Sequence, residues 1–242
     1  MKSQPADPPA FAGITFRGAT RHNLEIPASG LKLVFPVNAE LILLAQDRPD
    51  FRAVLSRNWS TFDGFWPYLI ANLKLRTPIE KISGSDFVHE VFAYAAREHM
   101  KVFLLGAKTE INHEAQQAIR RCYGIEVEGY SPRYEPYPYS SETAEAMLQA
   151  IQRARPQILL AALGAPKQEL WLDDHQPELA RIGVRLAIAV GGTLDMLAGV
   201  YRKAPSLICS MGLEGVWRLL LDPKRLRRFP NPIRFFWLTL LS

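Results

Sequence analysis

The chain has 242 residues, of which 48% are hydrophobic and 22% are charged. This size and mix are typical of a folded domain and exclude a disordered polymer. The two cysteines, Cys122 and Cys209, exclude a disulfide scaffold, and neither stands at metal-ligand spacing from a second Cys or a His. The net charge of +5 is uneven: residues 202–242 hold eight basic and two acidic residues, a net +6, whereas the other residues hold 21 basic and 22 acidic, a net −1. A basic end predicts an anionic partner.

The N-terminal sequence, MKSQPADPPA, is polar and rich in proline, without the apolar run of a secretory signal. We interpret residues 1–30 as a loose tail and a lead-in to the main domain. No stretch reaches the roughly 18 to 20 apolar residues that a membrane-spanning helix needs. The sequence therefore predicts a cytoplasmic protein that does not cross a membrane.

Short apolar runs alternate with longer amphipathic stretches, which is typical of βα units around a mostly parallel sheet. The predicted strands are residues 31–35, 101–106, 157–163 and 184–192, and the predicted helices are residues 86–99, 110–123 and 142–154. The strings SGSD, at residues 83–86, and SSE, at residues 140–142, supply candidate N-caps. The expected fold class is α/β, a Rossmann-like, mostly parallel sheet flanked by helices over residues 31–203, followed by a C-terminal basic helical appendage over residues 204–242.

Ligands of an open parallel sheet bind beyond the carboxyl ends of the strands, where loops and helix N-termini converge. Gly106 stands at such an end, before a helix whose first turn could hold a phosphate on free N–H groups. The earlier glycine of a Walker motif is absent. A phosphate site and an ordinary tight turn therefore explain Gly106 equally well.

A second glycine-rich strand end reads AVGGTLDMLAG and contains Gly191, Gly192 and Asp195. The glycines would let a ligand approach the backbone closely, and Asp195 could accept hydrogen bonds from ribose hydroxyls. The spacing is not GxGxxG, which disfavours a dinucleotide fold and leaves a mononucleotide as an open interpretation. The alternative interpretation is a turn with Asp195 near a helix N-terminus.

Two further strand ends carry polar side chains. In LGAPKQE, Gln168 stands between a lysine and a glutamate at a predicted helix start, either as part of a binding site or in a solvated first turn. In TFDGFW, Asp63 is either a turn former, the commoner role of an Asp-Gly pair, or a general base whose basicity partial burial would raise.

The sequence offers no recognisable metal site. No DxD triplet occurs, and the five histidines are scattered along the chain. The run Asp173-Asp174-His175 lies in a predicted helix, where a solvated face is the simpler interpretation. We therefore expect no required metal ion and no cofactor.

The strings VNAE, FDG, KISGSD, FLLGA, LGAPKQE, VGGTLDMLAG, KAP and GLEGVWRLLLDPKRLRR follow one another from about residue 30 to residue 230. Together they resemble the WecG/TagA/CpsF glycosyltransferase family, and PKQE and the arginine-rich ending are the most specific of them. The resemblance implies an inverting hexosyltransferase that moves a sugar, typically of the N-acetylmannosamine type, from a UDP-sugar to an undecaprenyl-diphosphate-linked acceptor. It places the reaction in the synthesis of bacterial cell-surface polysaccharides.

The resemblance also implies roles for single residues. Asp63 matches the family's base, which would take the proton of the acceptor hydroxyl. Asn38 and Gln168 match substrate-pocket positions, and Lys81 stands where many members have an arginine.

The arginines of the appendage match the family's arginines that close over the diphosphate of the donor; they are Arg218, Arg225 and Arg228. Since no metal is expected, these arginines, Lys81 and backbone N–H groups would stabilise the charge that develops on the leaving UDP.

Two positions depart from the family pattern. Pro36 stands where the family usually has a threonine near the base, and Gly215 replaces the tryptophan of the usual GLEW string. The proline removes one expected hydrogen bond from the sugar pocket. A glucosyl or glucuronosyl transferase of exopolysaccharide synthesis is therefore the alternative donor assignment.

The basic end interleaves arginine and lysine with leucine, phenylalanine and tryptophan. This pattern predicts peripheral attachment to the cytoplasmic face of the inner membrane, or a helix that packs on its own domain or on a second copy of the chain. It disfavours a nucleic-acid binder, which would expose stacking aromatics. A nucleotide-binding protein without activity is the rival from another functional class.

Overall fold

The structure is a computed structural model that describes residues 7–200, 205, 208, 217 and 232–241. Two short antiparallel strands come first, β1 (Ala10–Phe11) and β2 (Ile14–Thr15). Six further strands form one parallel sheet in the order β4-β3-β8-β7-β5-β6. They are β3 (Lys32–Val37), β4 (Trp59–Phe62), β5 (Val102–Gly106), β6 (Val127–Tyr130), β7 (Ile158–Ala162) and β8 (Leu186–Ala189).

The described helices flank this sheet. They are α1 (Ala39–Asp47), α2 (Pro49–Arg57), α3 (Phe65–Lys74), α4 (Gly84–Arg97), α5 (Thr109–Tyr123), α6 (Ser141–Ala154), α7 (Lys167–Asp174), α8 (Gln176–Ile182), α9 (Thr193–Leu197) and α10 (Pro232–Leu241), with a short 3₁₀ helix at Arg21–Leu24. The α/β, Rossmann-like, parallel fold predicted from the sequence is confirmed.

The strands predicted from apolar runs are the buried strands of the sheet. Residues of β5, β7 and β8 such as Leu104, Leu160 and Ile188 are fully buried, because helices cover both faces of a parallel sheet. The predicted cap of α6 is also confirmed: the Ser140 side chain accepts the Thr143 N–H at 3.3 Å.

The chain divides into two compact units, which are described separately below. The first unit contains the described residues of Met1–Glu25, Pro36–Ser83 and Ala204–Ser242. The second unit contains Ile26–Phe35 and the described residues of Gly84–Lys203. The domain boundaries predicted after residues 30 and 203 stay predictions.

Helix α10 packs within the first unit. Phe235 is 2% exposed, and the ring of Phe236 contacts that of Trp66 edge-to-face at 5.3 Å. The Arg234 guanidinium donates from Nη1 to Oδ2 of Asp47 at 2.9 Å, and this arginine lowers the pKa of the Asp47 carboxyl. One face of the helix is therefore held by its own unit.

No helix among the described residues is both long enough and apolar enough to cross a bilayer.

Candidate functional site

Asp63 lies in the turn between β4 and α3 of the first unit. Its backbone N–H donates to the Val37 carbonyl oxygen at 3.1 Å, so the end of β3 fixes its position. Gly64 follows with φ +88° and ψ 158°, a conformation that is essentially limited to glycine. The turn accounts for the glycine, and Asp63 beside it is half-buried. The role of Asp63 as a general base stays a prediction.

Lys81 lies on an extended segment that runs beside β4. It pairs with Phe62 in a parallel bridge, and the Ile82 N–H donates to the Phe62 carbonyl oxygen at 2.9 Å. The Thr61 hydroxyl donates to the Ile82 carbonyl oxygen at 3.1 Å. Because Asp63 follows Phe62 directly, Lys81 and Asp63 occupy neighbouring positions on two paired segments.

Asn38 joins β3 to α1. Its side-chain Oδ1 accepts the Leu41 N–H at 3.1 Å, which makes Asn38 the N-cap of α1. The residue before it, Val37, is the one that accepts the N–H of Asp63. The structure thus places the predicted residues Asn38, Asp63 and Lys81 on three adjacent backbone segments of the first unit.

Gly106 ends β5 in the second unit with φ +104°. A Cβ built there would lie 2.5 Å from the Ala162 carbonyl oxygen, and Nδ2 of Asn112 donates to the Gly106 carbonyl oxygen at 2.8 Å. Close packing and backbone conformation therefore require glycine whether or not a ligand binds. A phosphate site at Gly106 stays a prediction.

Gln168 is 4% exposed and Glu169 is 1% exposed, so the interpretation of these two residues as a solvated first turn is wrong. Oε1 of Gln168 accepts the Gly164 N–H at 3.2 Å, and its Nε2 donates to Oε1 of Glu169 at 2.9 Å. The glutamine thereby fixes the turn between β7 and α7. Its match to a substrate-pocket position stays a prediction.

The glycines after β8 differ in their surroundings from Gly106. Gly191 has φ +51°, and a Cβ built there would have its nearest contact with Nε2 of Gln168, at an ordinary 3.8 Å. Glycine is therefore favoured here by backbone conformation and not by crowding. The structure brings Gly191 close to Gln168, and Gly192 is the N-cap of α9.

Asp195 lies in the first turn of α9. Its backbone carbonyl oxygen accepts the Val200 N–H at 2.9 Å. This is the helix-terminus position that the alternative interpretation of the sequence gives it. The contact of Asp195 with a ribose stays a prediction.

The sequence analysis missed a group of tyrosines around Lys167, on the segment 131–140 that we call the tyrosine loop. Nζ of Lys167 donates to the Glu135 carbonyl oxygen at 3.0 Å and lies 4.2 Å from the ring centroid of Tyr134, which is 87% exposed. The Tyr137 hydroxyl donates to Asp174. Both ends of α7 are therefore tied to the tyrosine loop.

Burial raises the pKa of Tyr137, and the hydrogen bond to Asp174 raises it further. Burial, followed by the charge of Glu135, raises the pKa of Tyr139 to about 12. Both hydroxyls therefore stay protonated at neutral pH. The signal in the sequence was the density of tyrosines in YEPYPYS, directly after a strand.

Three predicted residues, Arg218, Arg225 and Arg228, lie outside the described residues. Their closure over a diphosphate stays a prediction. Among the residues that the structure describes, no group of three or more His, Cys, Asp or Glu side chains is arranged to hold a metal ion.

A comparison with protein-family models gives one match that covers almost the whole chain. The model of the Glycosyl transferase WecG/TagA/CpsF family matches residues 10–242. The chain belongs to this family. The resemblance stated from the motifs is confirmed, and the WecG/TagA/CpsF protein described here is a glycosyltransferase of cell-surface polysaccharide synthesis. The match includes the turn that carries Asp63 and both glycine-rich strand ends.

Proposed function

We propose that this protein is an inverting, metal-independent glycosyltransferase that moves a sugar from a UDP-sugar to an undecaprenyl-diphosphate-linked acceptor. The observation that carries the proposal is the turn after β4. There a half-buried Asp63 is fixed by the hydrogen bond to Val37 and stands beside the segment of Lys81, within a chain of a glycosyltransferase family. A carboxylate and a cation on adjacent segments are the two charges that the reaction requires.

In the proposed step, the Asp63 carboxylate takes the proton of the acceptor hydroxyl. The acceptor oxygen forms its bond to the anomeric carbon as the bond from that carbon to the UDP oxygen breaks. UDP leaves with the electron pair from the opposite face, so the configuration of the anomeric carbon is inverted. Atoms and charge balance, with the proton on Asp63 and the new negative charge on UDP.

The charge that develops on UDP must be stabilised by groups of the protein. We assign this role to Lys81, to backbone N–H groups after β5 and β8, and to Arg218, Arg225 and Arg228. Gly191 supports the assignment, since its positive φ favours a residue without a side chain, which lets a ligand approach the backbone closely. Asn38, Gln168, Gly192 and Asp195 complete the proposed contacts to the sugar and the ribose.

We assign an N-acetylmannosamine-type sugar to the donor. The alternative is a glucosyl or glucuronosyl donor, because Pro36 at the end of β3 offers neither the hydroxyl of the family's threonine nor an N–H. Protection against thermal unfolding by a panel of UDP-sugars separates these donors, since a ligand that binds only the folded state stabilises it by mass action.

The lipid-linked acceptor implies work at a membrane surface. Helix α10 supports this role: on the face that its own unit leaves exposed, Ile233 is 69% and Trp237 is 64% accessible. Apolar and aromatic side chains of this kind enter the interfacial region of a bilayer, and nearby basic residues attract anionic lipids. Converting both residues to serine should reduce sedimentation with anionic liposomes, whereas Leu73→Ser on α3, at 78% exposure, serves as the matched control.

The test of the chemistry is Asp63→Asn, assayed for sugar transfer and for UDP binding. We expect transfer to fall by about 10²- to 10⁴-fold, because the amide keeps the shape of the carboxyl group but does not accept the proton. UDP should still raise the melting temperature of the variant as it does that of the wild type.

Other outcomes of this assay would point elsewhere. Near-normal turnover in Asp63→Asn would remove Asp63 from the mechanism. A strict requirement for Mg²⁺ or Mn²⁺ after EDTA treatment would contradict metal independence. A wild-type chain that binds UDP and transfers none of the sugars would favour the nucleotide-binding protein without activity.

A further inference from the structure

We infer that Phe16, far from the proposed base in sequence, is a positioning residue for Asp63 and Lys81. The inference rests on the proposed function, because it concerns the two charges assigned above. It is carried by contacts within the first unit, between the N-terminal segment of residues 10–24 and the two segments that hold those charges.

The centre of these contacts is the Phe62 side chain. The Phe16 ring lies parallel to it, with ring centroids 3.9 Å apart and an angle of 6° between the planes, and Phe11 contacts it edge-to-face at 6.1 Å. Phe16 and Phe62 are both fully buried. The position of Phe62 is therefore set by close packing, in which a change of side-chain volume by even one methylene disturbs the neighbouring residues.

Phe62 is connected to both candidate residues through the backbone. It precedes Asp63 directly, and it pairs with Lys81 in the parallel bridge. A ring that fixes Phe62 thus fixes the start of the Asp63 turn and the register of the Lys81 segment together. Neither effect needs Phe16 to touch a substrate.

The rest of the N-terminal segment holds the same two segments from their ends. The Gly18 N–H donates to the Ser60 carbonyl oxygen on β4 at 3.0 Å, and the Glu80 N–H donates to the Ala19 carbonyl oxygen at 2.8 Å. Nη1 of Arg21 donates to Oε2 of Glu80 at 2.8 Å. Gly18 also has no room for a Cβ, which would lie 2.9 Å from the side chain of Leu24.

The test compares Phe16→Leu with Phe92→Leu. Phe92 is an equally buried phenylalanine of α4, in the second unit, and it too has an aromatic neighbour, Tyr123, at 5.2 Å. Both variants lose a buried ring, so a general loss of stability should affect them alike. Phe16→Met, which fills the space with a flexible chain, replaces Phe16→Leu if that variant does not fold.

The first measurement is amide hydrogen exchange, which needs no activity. The N–H of Asp63 donates to Val37 and that of Ile82 donates to Phe62. We expect both amides to exchange at least about tenfold faster in Phe16→Leu than in Phe92→Leu, because local opening sets the rate. Equal rates in the two variants would overturn the inference.

The second measurement is steady-state kinetics with the donor that the wild type uses. We expect kcat to fall by about ten- to a hundredfold in Phe16→Leu while KM for the donor changes little, since a small displacement of the reacting groups costs this much. Faster exchange with an unchanged kcat would also overturn the positioning role. If the wild type transfers no sugar, the proposed function fails by itself, and the exchange rates alone decide whether Phe16 holds the two segments.

Discussion

The candidate residues of the two units are held in different ways. In the second unit, Gly106 and Gln168 have complete structural reasons for their residue types, one in a close approach to Ala162 and one in hydrogen bonds to Gly164 and Glu169. In the first unit, Asp63 and Lys81 are positioned through their backbone, by bonds and pairing that any residue type could make.

The difference separates two kinds of inference. Where folding alone demands a residue type, that residue says little about chemistry, so Gly106 and Gln168 support a ligand site only weakly by themselves. Where the backbone would accept other residues, as it would at Asp63, the residue type is left open to serve chemistry. Asp63 is therefore the stronger functional candidate.

The contrast between the two units is tested most directly by alanine substitutions at two glycines after strands, Gly106 in the second unit and Gly64 in the first. Gly106→Ala should lower the free energy of unfolding by about 2–6 kcal/mol, because strain at positive φ adds to a clash with a backbone oxygen. Gly64→Ala should cost only about 1–3 kcal/mol, since its Cβ would meet nothing closer than Pro67 at 3.8 Å. Urea unfolding measures both, and an equal loss would show that crowding at Gly106 is unimportant.

Much of this fold could be predicted from the sequence, because burial leaves a direct pattern in the residue types. Strands β5 and β7 are buried on both faces, so they read as continuous apolar runs, and the structure has them within two residues of the predicted bounds. Helices α1 and α2 were not predicted. They have nine residues each and only Arg48 between them, which is too short for a clear helical period.

The site was predictable only in part. The Asp-Gly pair after an apolar segment and the family strings identified Asp63, because turns and motifs are local in sequence. The stacking of Phe16 on Phe62 joins residues far apart in the chain and leaves no local pattern. The contact between Tyr134 and Lys167 also joins residues far apart in the chain, so only the structure reveals it.

The hydrogen bonds of Gln168 are tested by placing a carboxyl group there. Gln168→Glu removes the donor to Glu169 and puts two acids together in a buried place, which should cost about 1–3 kcal/mol at neutral pH. The new carboxyl's pKa is raised in the folded state, so the penalty should appear as pH rises above about 4.3, the unfolded value, and should fade below it.

The control for this variant is Gln168→Met, which loses the same hydrogen bonds without adding a charge. Its penalty should depend on pH less than that of Gln168→Glu, because only the Glu169 carboxylate, which loses a hydrogen-bond donor, titrates there. Urea unfolding at several pH values measures the free energy of unfolding of both variants. If neither penalty changes with pH, Gln168 does not face the Glu169 carboxylate in solution.

The tyrosine loop gives a smaller effect at alkaline pH. The pKa of Tyr139 is raised to about 12, mainly by burial, so the folded state holds this proton more tightly than the unfolded state. Stability from this group is therefore complete below about pH 10, the ordinary tyrosine pKa, and is lost as pH rises toward the folded value. Tyr139→Phe should flatten this decline, as measured by thermal unfolding across alkaline pH; an unchanged slope would contradict the burial of Tyr139.

The smallest expected effect comes from Arg234→Ala, which asks whether α10 packs on the first unit in solution as it does in the structure. Both partners of the Arg234–Asp47 pair are solvent-exposed, and exposed ion pairs contribute little and are screened by salt. Arg234 lowers the pKa of Asp47, chiefly through its hydrogen bond, so the stabilisation is present above the unfolded pKa of Asp47 and is lost as pH falls through the folded value. Arg234→Ala should therefore be slightly less stable than the wild type at neutral pH and low salt, and equal to it in acid.

Arg181→Ala is the control, since its pair with Glu178 is looser at 3.8 Å and joins residues of one helix. A difference for Arg234→Ala that persists at acid pH would mean that packing of the arginine stem, and not its charge, holds α10; no difference at any pH would mean that the pair does not form in solution.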